Sequence, residues 1–294
     1  MGEAWFMGAK RRMFNELMTD TPDHWSPDLL QSPLYELASG PGSFGCRPEW
    51  TTWTQFFLAQ LPTRIESPSW ASAYECLVSA FIAHFPDERI VGPYDAFYCD
   101  VLATLGKIPM SPINWVDGRL SGKGVISSVE KTVNGPSISC GGAFSAALFL
   151  HLKYLNEHSI VDWLSSVFAI RDHIWRIKLI LWLEASSLLL INSGHQPSEL
   201  DFDSSDGSGW EPSWCLKGSS PSKDVDASQI EVPFISDQRR QIFREMVQTC
   251  LSIADLDALT ECLVALDVQY PGIRHTRGRL SQAARAIARD YRLM

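Results

Sequence analysis

Apolar residues recur every third or fourth position along most of this chain, and its prolines and glycines fall mainly between those runs. That spacing lines one side of a helix and requires the side to be buried, so the chain is expected to fold as helices packed on helices. Trp50, Trp53, Phe56, Phe57 and Leu61 form one run before Pro62, and Tyr74, Leu77, Val78, Phe81, Ile82 and Phe85 the next, closed by Pro86. Phe97, Val101, Leu102 and Leu105 follow, stopped at Gly106. Further helices are expected over 140–156 and 160–191, the second bent or broken near Phe168 to Asp172. Three more come after Ser236, which can cap the first; Asp255 starts the second, and the third runs over 279–294.

Two stretches depart from this rhythm. A short basic helix is expected near 4–18, and then Pro22, Pro27, Pro33, Pro41 and Pro48 predict no long element. Asp117-Gly118 signals a hairpin turn, and Val125, Ile126, Val129 and Val133 stand at helical spacing after it. The fold class is therefore all-α, an irregular multi-helix array of HEAT-like α-solenoid character with a short hairpin or turn insertion near 113–124. The helix pair at 237–268 is similar to HEAT-type repeats in length, aliphatic content and tight turn, although no second copy aligns with it at a fixed period.

The Ser, Gly, Asp and Pro content of 192–233 divides the chain into an acidic N-terminal helical lobe (1–191), a flexible acidic linker (192–233) and a C-terminal three-helix lobe (234–294). The net charge of −9 is uneven: from Arg239 onward nine arginines stand against six acidic residues. Arg277, Arg285, Arg289 and Arg292 make the last helix a basic patch on an acidic body, yet the charge of the whole disfavours nucleic acid as the partner. Seven cysteines show no CxxC pair, which fits a reducing, cytoplasmic compartment. The start, "MGEAWFMGAKRRMF", has no secretory pattern, and the apolar run at 174–191 carries Arg176, Lys178 and Glu184, so it reads as a core helix and not a membrane span.

Chemistry concentrates at "SISCGGAFSAALF", residues 137–149. A cysteine at a helix start can have a lowered pKa, so Cys140 is the candidate nucleophile, with Gly141 and Gly142 giving room for a substrate. His84, His173 or His275 would be its base, whereas His151 lies about 16 Å along the same helix. The bland reading, in which Cys140 is packing, is favoured. Metal signatures are lacking: Cys76 and His84 stand too far apart on one helix, and HExxH does not occur. "GRLSGKG" at 118–124 fails the phosphate-loop spacing, so no cofactor is expected. Trp210 and Trp214, set among Asp201, Asp203, Asp206 and Glu211, are candidate anchors for a basic partner, or they tie the loop to its own helices.

These readings point to a non-enzymatic intracellular protein-protein interaction module with an acidic helical surface. It would serve as an adaptor or neutralise a basic effector or toxin. The alternative is a Cys-dependent hydrolase or transferase built on Cys140.

Overall fold

A computed structural model describes residues 3–6, 9–12, 14–44, 48–132, 135–201, 207–216, 233–271 and 273–293. A hairpin of β1 (Glu3–Phe6) and β2 (Ala9–Arg12) leads into α1 (Asn15–Thr19), α2 (Pro27–Phe44), α3 (Pro48–Gln60), α4 (Ala71–His84) and α5 (Phe97–Thr104). Two more hairpins follow, β3 (Trp115–Val116) with β4 (Arg119–Leu120) and β5 (Glu130–Thr132) with β6 (Gly135–Ser137). The remaining helices are α6 (Gly142–Tyr154), α7 (Glu157–Ala169), α8 (His173–Ala185), α9 (Ser187–Ile191), α10 (Asp237–Cys250), α11 (Ile253–Gln269) and α12 (Arg274–Asp290). The architecture is mostly helical with little sheet, as the periodicity predicts. No described helix is long and apolar enough to cross a membrane.

The centre is α4, which carries apolar residues on nearly every side because α2, α3 and α6 all pack on it. Aromatic residues fill the joints: Trp53 stacks on Phe57 at 5.5 Å, and Phe149 of α6 meets Trp182 of α8 edge-on at 5.2 Å. The later helices join the same core, α10 against α7 and α9, and α12 against α8 and α11. Arg239 of α10 donates to the carbonyls of Leu152 and Leu155 and so supplies the donors that the end of α6 lacks.

The proline-rich segment differs from expectation, because α2 runs for 18 residues through Pro33 and Pro41. A proline in a helix leaves the carbonyl four residues back without its donor. For Pro41 that carbonyl belongs to Leu37, and His84 Nε2 lies 3.2 Å from it. A residue from α4 thus repairs the break, which sequence spacing within α2 cannot show. The basic helix expected near 4–18 is instead a hairpin followed by α1, with a register that sets Glu3 opposite Arg12.

The turn at Asp117-Gly118 forms as predicted, with φ of 50° and 73° at the two residues. The short helix expected after it is replaced by β5 and β6. Asn114, fully buried, accepts the Ile126 N–H at 3.1 Å and donates to the Ile108 carbonyl at 2.8 Å, so a helical partner for Ile126 is pre-empted. Gly135, at φ 108°, then adopts a conformation no helix accommodates.

Burial lowers the His84 pKa from 6.5 to about 4, and His151, stacked on Trp163 at 4.7 Å, is lowered likewise to about 4. The stability carried by the neutral rings is therefore complete above about pH 6.5 and is lost as pH falls through about 4. For His84 the loss amounts to about 3 kcal/mol. Urea unfolding from pH 7 to 4 should show this acid destabilisation, and His84→Gln, whose amide can still donate to Leu37, should flatten the slope; an unchanged slope would contradict the assignment.

Candidate functional site

Helix α6 begins at Gly142 with no side-chain cap, because its N-cap is Gly141 at φ 77°. The first N–H groups of any helix need partners from elsewhere. Glu75 of α4 provides one, since its carboxylate accepts from the Ala143 N–H and also from the Glu211 N–H. Approach here is very close: a Cβ on Gly142 would lie 2.1 Å from Glu75 Oε2 and 2.3 Å from the Gly209 carbonyl oxygen. Gly209 itself has φ 66°, and a Cβ there would stand 3.0 Å from the Gly142 nitrogen. The glycines admit the protein's own backbone to the helix mouth.

Cys140 lies inside this joint, 1% exposed, and its thiol donates to the carbonyls of Gly207 (3.3 Å) and Ser208 (3.2 Å). Ser145 Oγ donates to the same Ser208 carbonyl at 2.5 Å. Behind them, buried Lys178 of α8 donates to the Ser139 carbonyl at 2.6 Å, and Ser139 Oγ donates to Glu130 at 2.6 Å. Burial pushes the Cys140 thiol pKa up, against the opposing charges of Lys178 and Arg279. Burial, and next the Glu211 charge, raise Glu75 well above the carboxylate range, while burial pulls Lys178 down. The joint therefore holds a protonated thiol donor within a closed hydrogen-bonded seam.

Among the possible bases, His84 is buried against Leu37 and Thr51, and His173 is exposed at the start of α8. The hydrogen-bond partners of Cys140 are the Gly207 and Ser208 carbonyls, the Ser145 side chain and the Gly141 N–H. His275 and Arg277 have side chains outside the described residues, as do Asp203 and Asp206 entirely. Trp210 is fully buried, stacked on Phe149 at 5.5 Å with its N–H donated to Ser79 Oγ at 3.0 Å. Trp214 is half-buried and donates to the Tyr35 hydroxyl. Asp201 and Glu211 are exposed, and Arg285, Arg289 and Arg292 line the outside at the C-terminal end. Glu75 and Lys178 are the members of the joint that sequence reading does not single out. For Glu75 the signal is an ionisable residue among the apolar residues of α4, and for Lys178 it is a charge flanked on both sides by apolar residues, Ile177 and Leu179.

A second feature lies at the other end of the chain. Between α1 and α2 is an open cavity of about 930 Å³. Its described lining includes Phe14, Leu17, Leu29 and Pro33 with Glu16, Asp28 and Glu36, and no lysine, arginine or histidine. Pro33 withholds the helical donor from the Leu29 carbonyl on the same wall. Among the described residues, no cluster of three or more His, Cys, Asp or Glu side chains could hold a metal ion. Compared with known proteins, the chain matches no family model, no curated protein and no solved structure.

The close approach at Gly142 separates it from a glycine with space around it. Gly142→Ala should destabilise by about 3 kcal/mol through overpacking. Gly278→Ala, at a helical position with nothing within 4 Å, should stabilise by about 1 kcal/mol. Urea unfolding of the two variants checks both, and effects of the same sign would contradict the geometry.

Proposed function

We propose that this chain is a protein-binding module whose groove between α1 and α2 takes a cationic, amphipathic segment of a partner. The observation that carries the reading is the described lining of that groove, where the carboxylates of Glu16 and Asp28 stand beside Phe14, Leu29 and Pro33. Apolar walls supply contact area, and acidic side chains at the groove steer a partner of the opposite sign. The net charge of −9 works in the same direction. Support also comes from the α6 mouth, where the protein's own carboxyl group and main chain occupy the place a substrate would need.

In this reading the helical array acts as an adaptor or as a neutraliser of a basic effector. The six described cysteines are free thiols, which supports a cytoplasmic setting. A fluorescent amphipathic Lys/Leu peptide tests the groove directly. It should bind with an affinity that falls as salt is raised, and Glu16→Lys with Asp28→Lys should weaken it about 10-fold. Equal binding by that double variant, or equal binding of a Glu/Leu peptide by the wild type, would contradict the reading.

A further inference from the structure

The amine of Lys153, near the end of α6, rests on aromatic rings and a main-chain carbonyl. Its Nζ donates to the Phe234 carbonyl at 2.9 Å and lies 4.7 Å from the centroid of the Phe234 ring and 5.7 Å from that of Tyr154. Two acids between α4 and α5, Asp87 and Glu88, act on it electrostatically, but arginines hold both. Asp87 accepts from Arg89 twice, at 2.9 Å and 2.6 Å, and Glu88 accepts from Arg239 of α10 at 3.2 Å. The hydroxyls of Tyr154 and Tyr98 are likewise committed to main-chain carbonyls, Tyr154 to Phe85 and Tyr98 to Asp87 and Ile90.

A lysine becomes a nucleophile when it is desolvated or set beside another cation, and at Lys153 both conditions hold. Burial above all, with the Arg239 charge adding to it against the pull of Asp87 and Glu88, lowers the Lys153 pKa from 10.5 to about 8. At pH 7.4 about one such amine in five is neutral, whereas at the ordinary lysine value the figure is about one in a thousand. Lys178 is lowered in the same direction, but it is 1% exposed and sealed beneath Ser139. Lys153 keeps a partly exposed side chain, so a reagent can reach it.

We propose that Lys153 is a covalent modification site of this chain, acylated by small acyl thioesters. The amine lone pair attacks the thioester carbonyl carbon, the C–N bond forms and the C–S bond breaks. The thiolate leaves and takes up the proton shed by the nitrogen, so the step needs no oxidant and no further reactant. A small acyl group suits a nitrogen flanked by two rings. Acylation takes the cation off both rings yet leaves one N–H for the Phe234 carbonyl, so it loosens the attachment of the residues leading into α10 without abolishing it. Peptide binding at the α1–α2 groove plays no part in this chemistry.

Incubation of the full chain with the acetyl thioester of N-acetylcysteamine, followed by mass spectrometry of each lysine, reads the site. In the folded protein at pH 7.4, Lys153 should acetylate about 10-fold faster than the exposed Lys107 and Lys123. Its rate should rise with pH and level off above about 8. In urea the preference should disappear, because it comes from the fold and not from the flanking sequence. Glu88→Gln, at a half-exposed position, removes an acid that favours the ammonium and should move the levelling point to lower pH. Labelling of Lys153 no faster than Lys107 and Lys123 in the folded protein would overturn the proposal, as would a preference that survives urea or a levelling point that Glu88→Gln does not lower.

Discussion

The meeting of Gly141–Gly142 with Gly209, closed by the Glu75 carboxyl group, is the constraint on which the rest of the structure depends. It brings together α4, the start of α6 and residues 207–211, which are far apart in sequence. Any side chain on Gly142 would hold these apart. Once they touch, Trp210 is delivered to its slot beside Phe149 and Ser79, and Cys140 and Ser145 gain the Gly207 and Ser208 carbonyls. The segment around Trp210 is thereby part of the core, although its composition is that of a loop.

Buried polar groups repeat the same logic elsewhere. His84 answers the carbonyl freed by Pro41, Asn114 replaces ladder partners around residues 108–126, and Arg239 closes the end of α6. Each is a side chain from one element completing the main chain of another. A buried donor without a partner costs more than an ordinary hydrogen bond contributes, so these contacts select one arrangement of helices over other packings of the same apolar faces. Ion pairs at α8, Arg176–Asp255 at 3.3 Å and Arg279–Glu184 at 3.4 Å, fix how α11 and α12 lie against it.

Much of the helical pattern is legible in the sequence because it is local. The break expected near 168–172 falls between Ala169 and His173, where Asp172 accepts the Trp175 N–H at 2.8 Å, and Ser236 caps α10. At α11 the cap is Ser252, with Asp255 completing a reciprocal pair three residues on. What resists reading is whatever depends on residues distant in sequence. Two prolines inside α2 look prohibitive until His84 is placed beside one of them, and Glu75 looks like one more surface acid until α6 arrives. The acids of the α1–α2 groove are likewise visible as residues but not as a common wall.

The chemistry of Cys140 follows from the same closure: a thiol that is buried and donating to two carbonyls has neither the access nor the ionisation that a nucleophile needs. Alkylation of the native protein, followed by mass spectrometry residue by residue, tests that account most directly, because exposed Cys99 supplies an internal reference. Cys99 should label rapidly at neutral pH, while Cys140 should label only at the rate of global unfolding. Labelling of Cys140 as fast as Cys99 in the folded protein would contradict the closed joint, and with it the arrangement of Glu75, Gly142 and Gly209 on which the fold depends.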